Sequence, residues 1–121
     1  METDKYLNEV IYDKRGFAVF TKIKGKKSML AYTKKGELRG GDYHNVDQLF
    51  YLLKGSVQYK IIYKDEGVER WVILKPKQSI IARAGNPHMI RALTDCIFLE
   101  VFLGKDTRTF YYKPYRKLVK K

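Results

Sequence analysis

Residues 36–55, GELRGGDYHNVDQLFYLLKG, place a carboxylate, an imidazole and an amide beside a strongly apolar run. Alternate side chains of a strand share a face, so a strand beginning near Asp42 sets Asp42 and His44 on one side. After a turn at NVD, the next strand sends Gln48, Phe50 and Leu52 to one face. With both faces turned inward, three polar groups converge in apolar surroundings, the arrangement of a small-ligand pocket. A slip of one residue in register would turn them all outward. Each also has a plainer use: Asp42 caps a turn after two glycines, His44 is a hydrogen-bonded core residue, and Gln48 satisfies itself on His44 or backbone.

The elements that must carry these residues read as strands. Period-two apolar stretches recur at short intervals between glycine or charged turns: GFAVFTKI, SMLAYT, QLFYLL, SVQYKIIY, ERWVILK, SIIARA, HMIRAL and CIFLEVF. YKDEGVER between two of them is a hairpin signal, with Gly67 free to take a positive φ. A short helix fits only after Pro114. About eight short strands without intervening helices call for a sandwich or barrel that closes its own edges. The expectation is an all-β domain, closed over residues 16–103, with Phe50, Leu52, Ile90 and Leu99 in its core. Residues 104–121 are expected to form an arm whose aromatic stretch TFYYKPY packs across the barrel mouth or a partner subunit.

At 121 residues the chain has room for one compact domain with a real core, so residues 1–121 are taken as a single domain. The net charge of +12 invites a polyanionic partner. The positive residues are scattered over TKIKGKK, YTKKGELRGG and KPYRKLVKK and build no basic helix or nucleic-acid motif, so no nucleic-acid partner is expected. A smaller anion suits a basic pocket rim. The single cysteine, Cys96, sits in an apolar stretch and reads as a buried, inert thiol. No apolar run approaches bilayer-crossing length, and METDKYLNEVIYDKRG is too charged for a signal peptide; no membrane partner and a cytoplasmic location are expected.

The spacing resembles the cupin superfamily. Its first motif is a glycine, five residues, His-x-His, three or four residues, a glutamate, six residues and a glycine; Gly36, Asp42, His44, Gln48 and Gly55 fall on those places. Its second motif has a Pro-x-Gly-x-x-His core, which RAGNPH resembles, with Gly85 and His88 in register. The likeness spans residues 36–101 and implies a jelly-roll barrel, the double-stranded β-helix, commonly a homodimer, with the motif residues lining its interior. The departures are Asp42 for the first histidine, Gln48 for the glutamate, Lys77 for the second motif's leading glycine, Arg83 for its proline and Ala92 for its asparagine. DKRGFAVF, ELRGGDYHN and DQLFYLLKGSV are further similar to cupin-type isomerases and epimerases of nucleotide-linked deoxysugars and to capsular-polysaccharide cupins.

What the resemblance implies about chemistry divides three ways. In the preferred reading the chain isomerises or epimerises a nucleotide-linked keto-deoxysugar and requires no cofactor. His44 is then the base that removes a proton beside the carbonyl, and Asp42 orients it. Arg39 clamps the diphosphate, and Gln48, His88 and Arg83 complete the substrate site. A histidine base predicts activity rising through the neutral range. In the second reading Asp42, His44, His88 and Gln48 hold a divalent metal for an oxygenase or a simple binder, two histidines and a carboxylate being a known set for such ions. In the third the barrel binds a small ligand without catalysis.

Overall fold

Phe50 and Leu52 are almost fully enclosed while Leu53, next in the chain, is 43% exposed, and this two-residue alternation of burial runs through most of the molecule. A computed structural model describes residues 5–119 of the chain. They form strands β1 (Glu9–Asp13), β2 (Gly16–Ile23), β3 (Lys26–Thr33), β4 (Leu38–His44), β5 (Gln48–Lys54), β6 (Val57–Tyr63), β7 (Val68–Leu74), β8 (Ser79–Ala82), β9 (His88–Ala92), β10 (Cys96–Phe102) and β11 (Thr109–Tyr111), then one short helix, α1 (Lys113–Val119). Two antiparallel sheets result, one ordered β1-β2-β3-β10-β5-β8 and the other β11-β4-β9-β6-β7. The β6–β7 turn carries Gly67 at φ 65°, as its hairpin sequence requires.

The core lies between the sheets. Ala18, Ala31, Phe50, Leu52 and Phe98 enter it from the first, and Val57, Tyr59, Ile61 and Ile90 from the second. Phe50 stacks on Phe98 with centroids 4.7 Å apart and meets Tyr59 edge-on at 5.1 Å, geometries that add to plain area burial. Cys96 is buried, as expected.

One core assignment is corrected. Leu99 is only half-buried, paired across the outer face with Leu30 and Tyr51, and the inward residue is Phe98. CIFLEVF is apolar in both phases, so its pattern alone did not choose between them. The choice matters, because the inward phase of β10 runs through Cys96, Phe98, Glu100 and Phe102. Two further strands, β1 and β11, extend the sheets beyond residues 16–103.

The arm returns to its own barrel. β11 pairs with β4, and α1 lays Tyr115 and Val119 against Met89, Leu38 and Ile62. The Tyr115 hydroxyl donates to Glu69 Oε2 at 2.5 Å. Lys120 and Lys121 of the arm lie outside the described residues. No helix among the described residues is long and apolar enough to cross a membrane.

Candidate functional site

The site starts from a distortion that two glycines permit. Gly40 and Gly41 sit at φ 97° and 84°, and the β4–β9 register shifts between Gly40 and Asp42. A bulge of this kind re-aims the following side chains. It also lets α1 approach, since a Cβ on Gly41 would lie 2.9 Å from Arg116 Cδ and 3.1 Å from its backbone nitrogen. Arg116 Nη1 donates to the Gly40 carbonyl at 3.0 Å, and its guanidinium lies 4.5 Å over the Tyr111 ring.

Beyond the bulge Asp42 stands opposite His88 in the strand register and two residues from His44. Its Oδ1 is 3.6 Å from Nε2 of His44 and 3.6 Å from Nε2 of His88. Both separations exceed a hydrogen bond. His88 Nδ1 donates to the Asn86 carbonyl at 3.1 Å, which puts its proton there and leaves the Nε2 lone pair facing Asp42. His44 Nδ1 lies 3.0 Å from Thr109 Oγ1 on β11. Burial pushes His44 down to about 4 against the opposing pull of Asp42, and burial lowers His88 as well. Both rings are therefore neutral at pH 7, and a step governed by His44 changes near pH 4, not through the neutral range expected of an unperturbed histidine.

Asp42 and His44 line a cavity of about 290 Å³ together with Arg39, Gln48, Glu100 and Thr109. His88 is enclosed behind Asp42, its ring parallel to Tyr59 at 6.0 Å. Gln48 is 5% exposed, and its Oε1 is buried with no hydrogen-bond partner among the described residues. Arg39 lies within β4, buried in the cavity wall; Nε donates to Thr33 Oγ1 at 2.6 Å and Nη2 to the Tyr32 carbonyl at 3.3 Å. Arg83 is apart from this group, on the surface after β8, where it pairs with Asp47 at 3.1 Å. Lys77 occupies the turn before β8, also outside the cavity.

Glu100 was missed by the sequence reading. It projects from β10 into the cavity, where burial and the charge of Asp42 push its carboxyl up to about 8 while Arg39 pulls the other way. Its signal was a lone carboxylate in phase with Cys96, Phe98 and Phe102, hidden when Leu99 was placed inward.

Asp42, His44 and His88 present one ligand atom each, all within 4.8 Å of one another. Donors each about 2 Å from a shared divalent ion lie roughly 3–4 Å apart, so the 3.6 Å spacings suit one. The donors also suit it chemically: two neutral imidazoles with their outer nitrogens tied to a carbonyl and a hydroxyl, one carboxylate, and the orphaned Gln48 oxygen beside them.

No protein-family model and no curated protein matches the chain. Solved structures do. Oxalate decarboxylase from Bacillus subtilis aligns at 20% identity and TM-score 0.76 over 94% of this chain and 32% of its own. A study of that enzyme's Mn(II) centres gives 22% identity and TM-score 0.73, covering 84% of this chain and 29% of that one. CapF bound to the inhibitor 3-isopropenyl-tropolone gives 17% identity and TM-score 0.69, covering 82% and 32%. The chain thus spans about a third of the length of these structures. With two facing antiparallel sheets, motif residues gathered between them and these likenesses in shape, the chain has the cupin fold, as a single-domain β-sandwich.

Proposed function

We propose that the chain is a metal-dependent cupin enzyme acting on a small anionic molecule. The observation that carries this is the equidistance of Asp42 Oδ1 from the two Nε2 atoms. A base-and-orienter dyad needs one histidine at hydrogen-bond distance; a shared ion needs donors arranged around a common point. The departures from the cupin motif also compensate in charge. A set of three histidines and a glutamate carries one negative charge, and so does Asp42 with His44, His88 and Gln48, because the carboxylate has moved from the third position to the first. A divalent ion held there supplies a Lewis acid that polarises a carbonyl or carboxylate oxygen. Arg39 orients an anionic group of the ligand, Glu100 holds a proton at neutral pH, and Phe20, Met29 and Phe102 along the same cavity limit water.

The oxalate decarboxylase structures, one described by its Mn(II) centres, support the metal reading at the level of fold. Elemental analysis of the purified chain tests it. About one divalent metal per chain is expected in the wild type, with loss in His88→Asn, a variant away from the cavity lining. Wild-type protein grown with supplied manganese, iron and zinc that carries none of them sinks the reading.

A metal-free sugar isomerase is the second reading, favoured by the neutral state of His44 in the cavity wall with its ring held by Thr109. The cavity takes the sugar and leaves the nucleotide outside. Thermal shift with thymidine- and uridine-diphosphate sugars separates the two: stabilisation of metal-free protein by these and not by the bare sugar supports the second reading.

A further inference from the structure

Arg39 is 7% exposed, yet no carboxylate lies within ion-pair distance of it among the described residues. Buried charges are ordinarily paired, because an isolated one loses its hydration without recompense. Thr33 and the Tyr32 carbonyl occupy Nε and Nη2, which pins the guanidinium and leaves Nη1 without a hydrogen-bond partner among the described residues. Glu100 faces the same cavity. Its carboxyl likewise makes no hydrogen bond or ion pair with any described residue, although Arg39 is near enough to act on it electrostatically. A guanidinium and a carboxyl thus share a cavity of about 290 Å³ without an ion pair between them, each with hydrogen-bonding capacity open to a ligand.

We propose that the ligand is a small hydroxycarboxylate, its carboxylate taken by Arg39 and its hydroxyl by Glu100. A carboxylate accepts from the planar guanidinium with the geometry that residue favours. A hydroxyl satisfies Glu100 in either protonation state, donating to the carboxylate or accepting from the acid. A bare carboxylate would fill Arg39 and leave Glu100 unmatched, and a second carboxylate in place of the hydroxyl would bring a second negative charge into the cavity that Asp42 also lines. Size agrees, since the cavity has room for roughly ten water volumes, enough for a small organic acid. The inference rests on the metal reading in placing the ligand's reacting oxygen at the Asp42, His44 and His88 cluster. The pair Arg39 and Glu100 binds with or without the ion.

Calorimetric titration of the full chain, stripped with a chelator and dialysed so that ligand–metal complexes contribute nothing, tests it with matched probes: glycolate against acetate, tartrate against succinate. The hydroxy acid of each pair is expected to bind at least tenfold more tightly. Glu100→Leu should abolish that ratio, and Arg39→Met should weaken both members of a pair at least tenfold. Equal affinity within the pairs, absence of binding for all four at millimolar concentration, or a ratio that survives in folded Glu100→Leu overturns the proposal. The wild-type ratio decides even if a variant fails to fold. Metal content, measured separately, keeps the two readings distinguishable: the ratio without metal sinks only the metal reading, and metal without the ratio sinks only this one.

Discussion

Asp42 sits between two neutral imidazoles, the lone pair of His88 facing it, and the Gln48 oxygen in the same cavity is buried without a partner among the described residues. Restoring a carboxylate at position 48 therefore pulls two ways. Gln48→Glu puts a second carboxylate near Asp42, so metal-free protein should melt several degrees lower, while divalent-metal affinity should rise on the order of tenfold through the added ligand charge. Melting curves with and without manganese check both signs; a variant destabilised equally in each would speak against a shared ion. Tyr59 offers a second test at this scale. Its hydroxyl is buried and unpartnered among the described residues, so Tyr59→Phe should stabilise the fold by about 1 kcal/mol, read by urea unfolding. The spacing of Asp42, His44, Gln48 and His88 was legible because strand periodicity and motif register both fixed it. Glu100 was not, because a stretch apolar on both faces does not reveal its phase, and the phase came from Phe98 meeting Leu52 across the sheet.

At the scale of elements, the bulge in β4 joins the site to the C-terminal segment. Gly41→Ala brings a Cβ to 2.9 Å from Arg116 and imposes a positive φ that alanine disfavours. A loss of about 1–3 kcal/mol is expected from strain of this kind. The melting temperature should fall by several degrees, with α1 loosened first, as hydrogen exchange over Lys113–Val119 would report. Thr109 acts on the site through His44. Thr109→Val keeps the shape of β11 but frees Nδ1 of the ring, so metal affinity should fall about 10- to 100-fold with little change in melting temperature. Unchanged affinity would mean that packing against Phe102 at 4.7 Å suffices to hold the ring. The strands and the short helix after Pro114 were readable from local pattern. The return of β11 and α1 onto β4 was not, because it depends on contacts more than sixty residues apart along the chain, such as Thr109 with His44 and Arg116 with Gly40.

For the whole molecule, the two buried histidines and the cavity-lining Glu100 set opposing pH slopes on the stability of the metal-free protein. His44 titrates at about 4 when folded and near its ordinary 6.5 when unfolded. Between those values the unfolded chain holds more protons, and stability falls as pH falls. Glu100 titrates at about 8 when folded against an ordinary 4.5. Between those values the folded chain holds the extra proton, and stability falls as pH rises. The slopes oppose each other from pH 4.5 to 6.5, where His88, lowered in the same direction as His44, adds to the histidine side, so stability should hold or rise modestly with pH there; above 6.5 the Glu100 contribution stands alone. From pH 6.5 to 8 the metal-free wild type should lose about 1–2 kcal/mol, a drop of several degrees in melting temperature. Glu100→Gln, which keeps the shape and removes the titration, should hold its stability across that range. An equally steep decline in the variant would place the alkaline sensitivity elsewhere, and Glu100 would no longer be the group that keeps a proton in the cavity at neutral pH.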